Sequence, residues 1–221
     1  MKTLLESILN KSGVGKIYQI QSWLDEHGIK NYTINNKGEV DVDGDVLLSS
    51  RGLTELPPFI QFGIVKGVFT CGTNNLTSLK GCPRVVEGGF LCFNNKLTSL
   101  KGAPIEVGGD FICYSNKLTT LEGIPKKIGK NFNCFNNELT SLKGSPEKVK
   151  GYFHCSFNNL TTLEGAPKKV GDDFYCRYNH LTSLEGAPKV VRGIFVCKHN
   201  KTQFTEGDVK KVCKVKREII A

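Results

Sequence analysis

The chain has 221 residues, 39% of them hydrophobic, and thirty Lys and Arg against twenty-one Asp and Glu give it a formal net charge of +9. That is enough apolar content for a continuous core, while Glu6 and the lack of a long apolar stretch at the start predict neither a secretory leader nor a membrane partner. Nine cysteines would suit a disulfide-stapled secreted domain, but seven of them share one repeat column, which predicts buried free thiols in a reducing, cytoplasmic setting.

In chain order, Thr3 to Lys11 carries Leu4, Leu5, Ile8 and Leu9 at helical spacing, and Gly15 to His27 carries Ile17, Ile20 and Leu24 likewise, with Gly28 as its stop. Gly13-Val14-Gly15-Lys16 lacks the strand before it and the hydroxyl residue after Lys that a phosphate loop needs, so it is expected to be a joint between helices. Tyr32-Thr33-Ile34, the turn Asn35 to Gly38, and Val40 with Val42 predict a hairpin. Asp41, Asp43 and Asp45 alternate as calcium-loop ligands do, but Val46 stands where the loop requires glycine and Gly52 where it requires glutamate. They are expected to be acids on the wet side of a strand. Residues 1–45 are thus predicted to form an N-terminal cap.

From Phe69 to about Glu206 a 21-residue unit recurs with hardly a gap. Phe69, Phe90, Phe111, Phe132, Phe153, Phe174 and Phe195 form one column, and Cys71, Cys92, Cys113, Cys134, Cys155, Cys176 and Cys197 another. Three residues past each Cys lies an Asn, from Asn74 to Asn200, then paired leucines such as Leu97 and Leu100, a Gly, a Pro and a Val or Ile. Phe and Cys alternate with variable residues, as on a strand with one face inward. An amide at the following bend can satisfy backbone groups, and the Gly-x-Pro copies turn the chain back without a long helix. No coil buries its apolar set alone, which is why the copies stack. Val46, Leu48, Leu53 and Leu56 fit the same slots, so an irregular first coil begins at Val46, two residues longer than the rest.

Period and spacing carry the signature of a leucine-rich repeat. The unit resembles short bacterial-type leucine-rich repeats with Phe or Cys in slots usually held by Leu or Val. Together with the opening Met1 to Leu9 it is also similar in style to small proteins of T4-like tailed phages. The resemblance covers about two thirds of the chain and implies a binding surface without naming what is bound. The expected fold is an α+β repeat solenoid, a leucine-rich-repeat-type parallel β stack of about eight coils over 46–206. A helical and β cap precedes it, and a short basic capping helix over 207–221 follows. In that helix Val209, Val212, Cys213, Ile219 and Ile220 line one side, and Lys210, Lys211, Lys214, Lys216 and Arg217 the other.

The segment before Phe69 holds seven basic and eight acidic residues, so the positive excess belongs to the solenoid and its tail. Lys126-Lys127, Lys148, Lys168-Lys169 and Lys189 are expected on the outer turn, away from the strands, alternating with Glu122, Glu147, Glu164 and Glu185 as a solvated face. The basic tail is dense enough to touch a phosphate backbone or an acidic partner.

Outward strand positions carry the functional signal, because they vary on a fixed scaffold. Leu91, Phe93, Ile112, Tyr114, Phe135, Tyr152, His154, Phe157, Tyr175, Arg177, Tyr178 and Lys198 are expected to stack on a concave face, joined by Val196 and His199. The patch is apolar and aromatic and turns basic towards the C-terminus, and such a patch usually marks a partner. The competing readings are cross-strand packing that only stabilises the stack, and stacking of single-stranded bases. His154, His180 and His199 lack any paired-Cys motif beside them, and no metal or cofactor is expected. There is no nucleophile elbow, phosphate loop or metal triad, and interior thiols make poor nucleophiles, so no catalysis is expected. The sequence reads as a cytoplasmic, monomeric, non-enzymatic binder of a host protein, such as a defence enzyme or toxin, if the phage resemblance holds. A nucleic-acid binder and a structural particle component are the alternatives.

Overall fold

In the computed structural model, which describes residues 14–221, the repeat closes into a parallel β-solenoid of nine turns. The expected helix over Thr3 to Lys11 and the first glycine of the Gly13-Val14-Gly15-Lys16 joint lie outside the described residues.

Each regular coil contributes two short strands rather than one. The Phe column opens the first, pairing in register as Phe111↔Phe132 and Phe132↔Phe153, and nine such strands run from Val46–Leu47 to Ile219–Ile220. The Val column closes the second, as in Lys148↔Lys169 and Val149↔Val170. Both are strands for the same reason: an exposed or half-exposed residue alternates with one that is fully buried, the period of a pleated ribbon with one wet face. Lys127, Lys148 and Lys169 therefore sit in strands of a second sheet, not on an outer turn away from the strands.

Three residues separate the second strand of one coil from the first strand of the next, and this corner is tight. A Cβ added at Gly171 would overlap the carbonyl of Lys150 in the coil below, so only glycine lets the coils approach there. The other bend is held by the Asn column. Asn116 Nδ2 donates to the carbonyls of Cys92 (3.0 Å) and Cys113 (3.1 Å), and its Oδ1 accepts from Leu97 N–H (3.0 Å). One side chain thus ties its own bend to the coil before it. At the corner, Asp110, Asn131 and Asp173 do the converse, each accepting the amide of the residue twenty-one positions on.

Between the sheets the phenylalanines stack ring on ring, with centroids 5.0 to 5.8 Å apart from Phe69 to Phe195. All nine cysteines are free and buried. Burial pushes the thiols of Cys113, Cys155 and Cys176 well above their ordinary pKa, with neighbouring thiols adding to the effect, which suits packing and opposes nucleophilic chemistry.

Helix α1 (Val14–Glu26) and the antiparallel pair Tyr32–Ile34 and Val40–Val42 close the N-terminal end. Ile20, Leu24 and Trp23 turn inward, and Trp23 meets Phe62 edge-on at 6.4 Å, extending the ring column into the cap. Val40–Val42 pairs in parallel with Phe62–Val65, so the cap hairpin is also the first rung of the second sheet. Asp41 and Asp45 do more than face water: their Oδ1 atoms accept the amides of Ile64 and Val68, both at 2.7 Å.

The C-terminal end differs from the expected continuous helix, and the difference adds a ninth turn to the eight read from the sequence. Helix α2 (Glu206–Val212) is capped by Thr205, whose hydroxyl accepts from Asp208 N–H while Asp208 reaches back to Thr205 N–H. It ends at Val212. Lys214–Val215 and Ile219–Ile220 then pair with Val190–Val191 and Phe195–Val196, offset by 24 residues because the helix inserts three. Lys214, Lys216 and Arg217 belong to this last coil and not to a helix face. The physical reason is that Val215 and Ile219 keep the four-residue spacing of Val191 and Phe195, which places both in the core slots.

Candidate functional site

The outward face of the first sheet is built from three parallel rows. Directly after the Phe column come Leu91, Ile112, Asn133, His154, Tyr175 and Val196; after the Cys column come Phe93, Tyr114, Phe135, Ser156, Arg177 and Lys198. The third row lies one residue further on, where the chain leaves the strand: Asn94, Ser115, Asn136, Phe157, Tyr178 and His199. Tyr152 stands apart from all three, at the corner before the strand, with its backbone N–H held by Asn131. Val196, which the sequence places on the surface, is buried against the ninth turn.

Rings along these rows touch in two groups. Phe93 and Tyr114 stack at 4.9 Å. Phe135 meets both His154 and Phe157 at 5.1 Å, and from there two ladders run towards the C-terminus. His154 continues to Tyr175 (4.9 Å), while Phe157 continues to Tyr178 (4.3 Å) and His199 (4.5 Å). The Arg177 guanidinium lies 5.8 Å from the Tyr178 ring centre, within cation–π range. His154 and His199 fall in separate ladders, and His180 lies two residues beyond the third row.

Mutual packing half-buries most of the face, so cross-strand stabilisation is part of its role. The third row is the exception: Asn94, Asn136 and His199 are exposed, and so are the large apolar rings Phe157 and Tyr178, at 39% and 41%. They are exceptional in backbone too. Every residue of the third row has a left-handed φ, near 50°, a conformation that Asn accepts readily and bulky rings do not. Asn94, Asn136 and Ser115 follow that preference and His199 (φ 59°) is accepted there too, but Phe157 (φ 56°) and Tyr178 (φ 52°) break it in two successive coils.

Beside them lie three unpartnered polar groups. Among the described residues, His154 Nε2, Ser156 Oγ and Arg177 Nε are buried with no hydrogen-bond partner. Burial, with the nearby Arg177 charge, lowers the His154 pKa to about 4, so its imidazole is neutral at pH 7. Tyr175 is fixed by donating its hydroxyl to Asp173 Oδ2 at 2.7 Å, and burial together with that bond raises its pKa to about 12. Such an arrangement offers apolar and aromatic contact area with one cation beside it. The corner acceptors Asp110, Asn131 and Asp173 and the second strand of each coil were missed in the sequence; the recurrence of Asp or Asn just before Phe in three coils was the available signal.

Among the described residues no helix is long and apolar enough to cross a membrane. No protein-family model matches the chain, and no curated protein matches it either.

Proposed function

We propose that the chain is a non-enzymatic binding solenoid of the leucine-rich-repeat kind that grips another protein on the ring-bearing face of its first sheet. The observation that carries this reading is the stacked pair Phe157 and Tyr178, whose ladder runs on to His199. Side chains that cost backbone strain, where Asn would cost less, are kept where they expose apolar area to water. Strain and exposure together are hard to explain by stability. Rigid aromatic rings beside an arginine are the residue types that dominate protein interfaces. On the resemblance to phage proteins, the partner is a host protein met in the cytoplasm, and blocking a defence enzyme or toxin is a natural task for a small rigid monomeric binder.

The test is affinity capture from host lysate with the native chain and with a Phe157→Asn, Tyr178→Asn, His199→Asn variant, each with and without nuclease. Asn is the native residue of the same row at Asn94 and Asn136, so the variant is expected to melt at or above the native temperature. A protein held by the native chain, lost by the variant and indifferent to nuclease is the expected result. Capture that survives the substitutions makes the face structural, and capture that vanishes with nuclease transfers it to single-stranded bases.

A further inference from the structure

A different face carries a second inference, independent of the ring ladder and its partner. The five corner segments 126–130, 147–151, 168–172, 189–193 and 214–218 hold twelve Lys and Arg against three Asp and Glu, a surplus equal to the formal +9 of the whole chain. The fold brings the last four onto consecutive strands of one sheet, and 126–130 onto the coil next to it, at the end of the adjoining sheet. On the preceding coils the same columns carry Asp41, Asp43, Glu87 and Glu106 against Lys66 and Arg84, so the balance changes sign along this side of the solenoid.

Several of these cations stand in positions that the fold alone disfavours. Lys148 and Lys169 lie directly opposite each other in parallel register, one strand spacing apart, where like charges destabilise. Lys168, Lys127 and Arg217 have carboxylates in reach, Glu147 at 3.2 Å, Glu106 at 3.5 Å and Asp172 at 3.9 Å. Lys148, Lys150, Lys169 and Arg192 have none among the described residues. These four surround an opening of about 490 Å³ with Gly171 in its lining.

We propose that this half of the second sheet binds the phosphate backbone of a nucleic-acid duplex, with one phosphate seated over Gly171 among Lys148, Lys150, Lys169 and Arg192. Five strands at a spacing of about 4.8 Å span roughly 19 Å, a length of duplex that carries about eleven phosphates, close to the number of cations available. No large exposed apolar side chain among the described residues falls within the five segments, so the face has nothing to insert into a lipid surface. The aromatic rings lie on the other sheet, so unpaired bases find no stacking platform here. Contacts of this type read charge and not sequence.

The experiment is fluorescence anisotropy of the full chain with a labelled random-sequence duplex of about 20 base pairs, titrated from about 50 to 200 mM salt. A Lys148→Gln, Lys150→Gln, Lys169→Gln, Arg192→Gln variant is run alongside, with circular dichroism to establish that it folds, and a Phe157→Asn, Tyr178→Asn variant serves as control. The native chain is expected to bind with an affinity that falls steeply with salt. The basic-face variant should lose about three to four from the slope of log K against log salt, at about 0.9 for each phosphate contact removed. The control should match the native chain. No binding at the lowest salt, an unchanged slope in the basic-face variant, or a preference for single strands abolished in the control would each overturn the proposal. So would equal retention on anionic phospholipid vesicles, or salt-sensitive self-association in place of duplex binding.

Discussion

At the scale of single residues, two side chains have consequences out of proportion to their size. Asn116 donates to two buried carbonyls and accepts from one buried amide across two coils; in Asn116→Ala the Leu97 amide loses its acceptor, while Cys92 O keeps Asn95 Nδ2 (3.2 Å) and Cys113 O keeps Asn137 Nδ2 (3.1 Å). One unpaired buried amide costs about 1–3 kcal/mol, and a loss of about 2 kcal/mol is expected by urea denaturation. Asn75→Ala, in the exposed column beside it, should stay within about 0.5 kcal/mol of native. His154 makes stability depend on pH in a defined window. The unfolded chain takes up its proton below about 6.5, whereas burial and Arg177 delay protonation in the folded chain to about 4. Between those values the unfolded state binds more protons, so the neutral ring's contribution is intact above pH 6.5 and is lost as the pH falls towards 4. With partial exposure allowed for, the loss is about 2 kcal/mol. Replacing His154 by Asn, the residue that Asn133 supplies one coil earlier, should remove this part of the acid sensitivity. Equal acid losses in native and variant denaturation curves would show that His154 is not held neutral by the fold.

At the scale of elements, what could be read in advance follows from how many times it was written. The Phe, Cys, Asn and Leu columns recur seven, seven, seven and six times, and a solenoid with one inward-facing strand per coil follows from their spacing. The second strand was hidden because its signal is a single buried Val or Ile whose flanking residues change along the stack, too short a pattern for alternation to register. Once that strand is present, the lysines before Val149 and Val170 move from a solvated turn to a registered ladder, which changes their meaning from solubility to recognition. The tail misled for a related reason. Val209, Val212 and Cys213 do have helical spacing, and α2 is a real helix, but Val215 and Ile219 keep the spacing of the strand slots, and packing onto Val191 and Phe195 overrides the longer helix. On the ring-bearing face the residue types were legible, whereas the left-handed backbone under Phe157, Tyr178 and His199 was not. Seven copies with Asn, Ser or Thr in four of them held the hint.

At the scale of the whole molecule, coils touch only their neighbours, so stability is close to a sum of coil terms and interfaces, and the weakest interface decides where the stack opens. The first sheet is continuous over its nine strands, but the second divides between Ile128 and Val149. Elsewhere along that sheet the residue after each Val donates to the preceding coil, as Gly129 does to Val107 (2.8 Å) and Gly171 to Val149 (2.9 Å). Among the described residues Lys150 has no such bond to Ile128, nor Glu147 one to Lys126. The gap adjoins Ser145, a hydroxyl in a slot otherwise filled by Cys82, Ala103, Ile124, Ala166 and Ala187, and that hydroxyl is buried without a partner. Across the same two coils the first sheet keeps its rungs, including Phe132 N–H to Tyr152 O (3.0 Å) and Cys134 N–H to His154 O (2.9 Å). The interface is therefore fastened along the first sheet and at the corner, where Gly151 N–H donates to Lys130 O (3.0 Å), but lacks the rungs of the second sheet. Native-state hydrogen exchange should find the Lys150 amide far less protected than those of Gly129 and Gly171 in the same column, while Cys134 and Cys155 remain protected together. Ser145→Ala, which fills the slot with the residue of its neighbours, should raise protection at Lys150 without changing Cys134. Lys150 protection equal to that of Gly171 in the native chain would mean that the stack has no weak joint there. The duplex-binding face would then be one rigid surface, in place of one with a joint at its N-terminal edge.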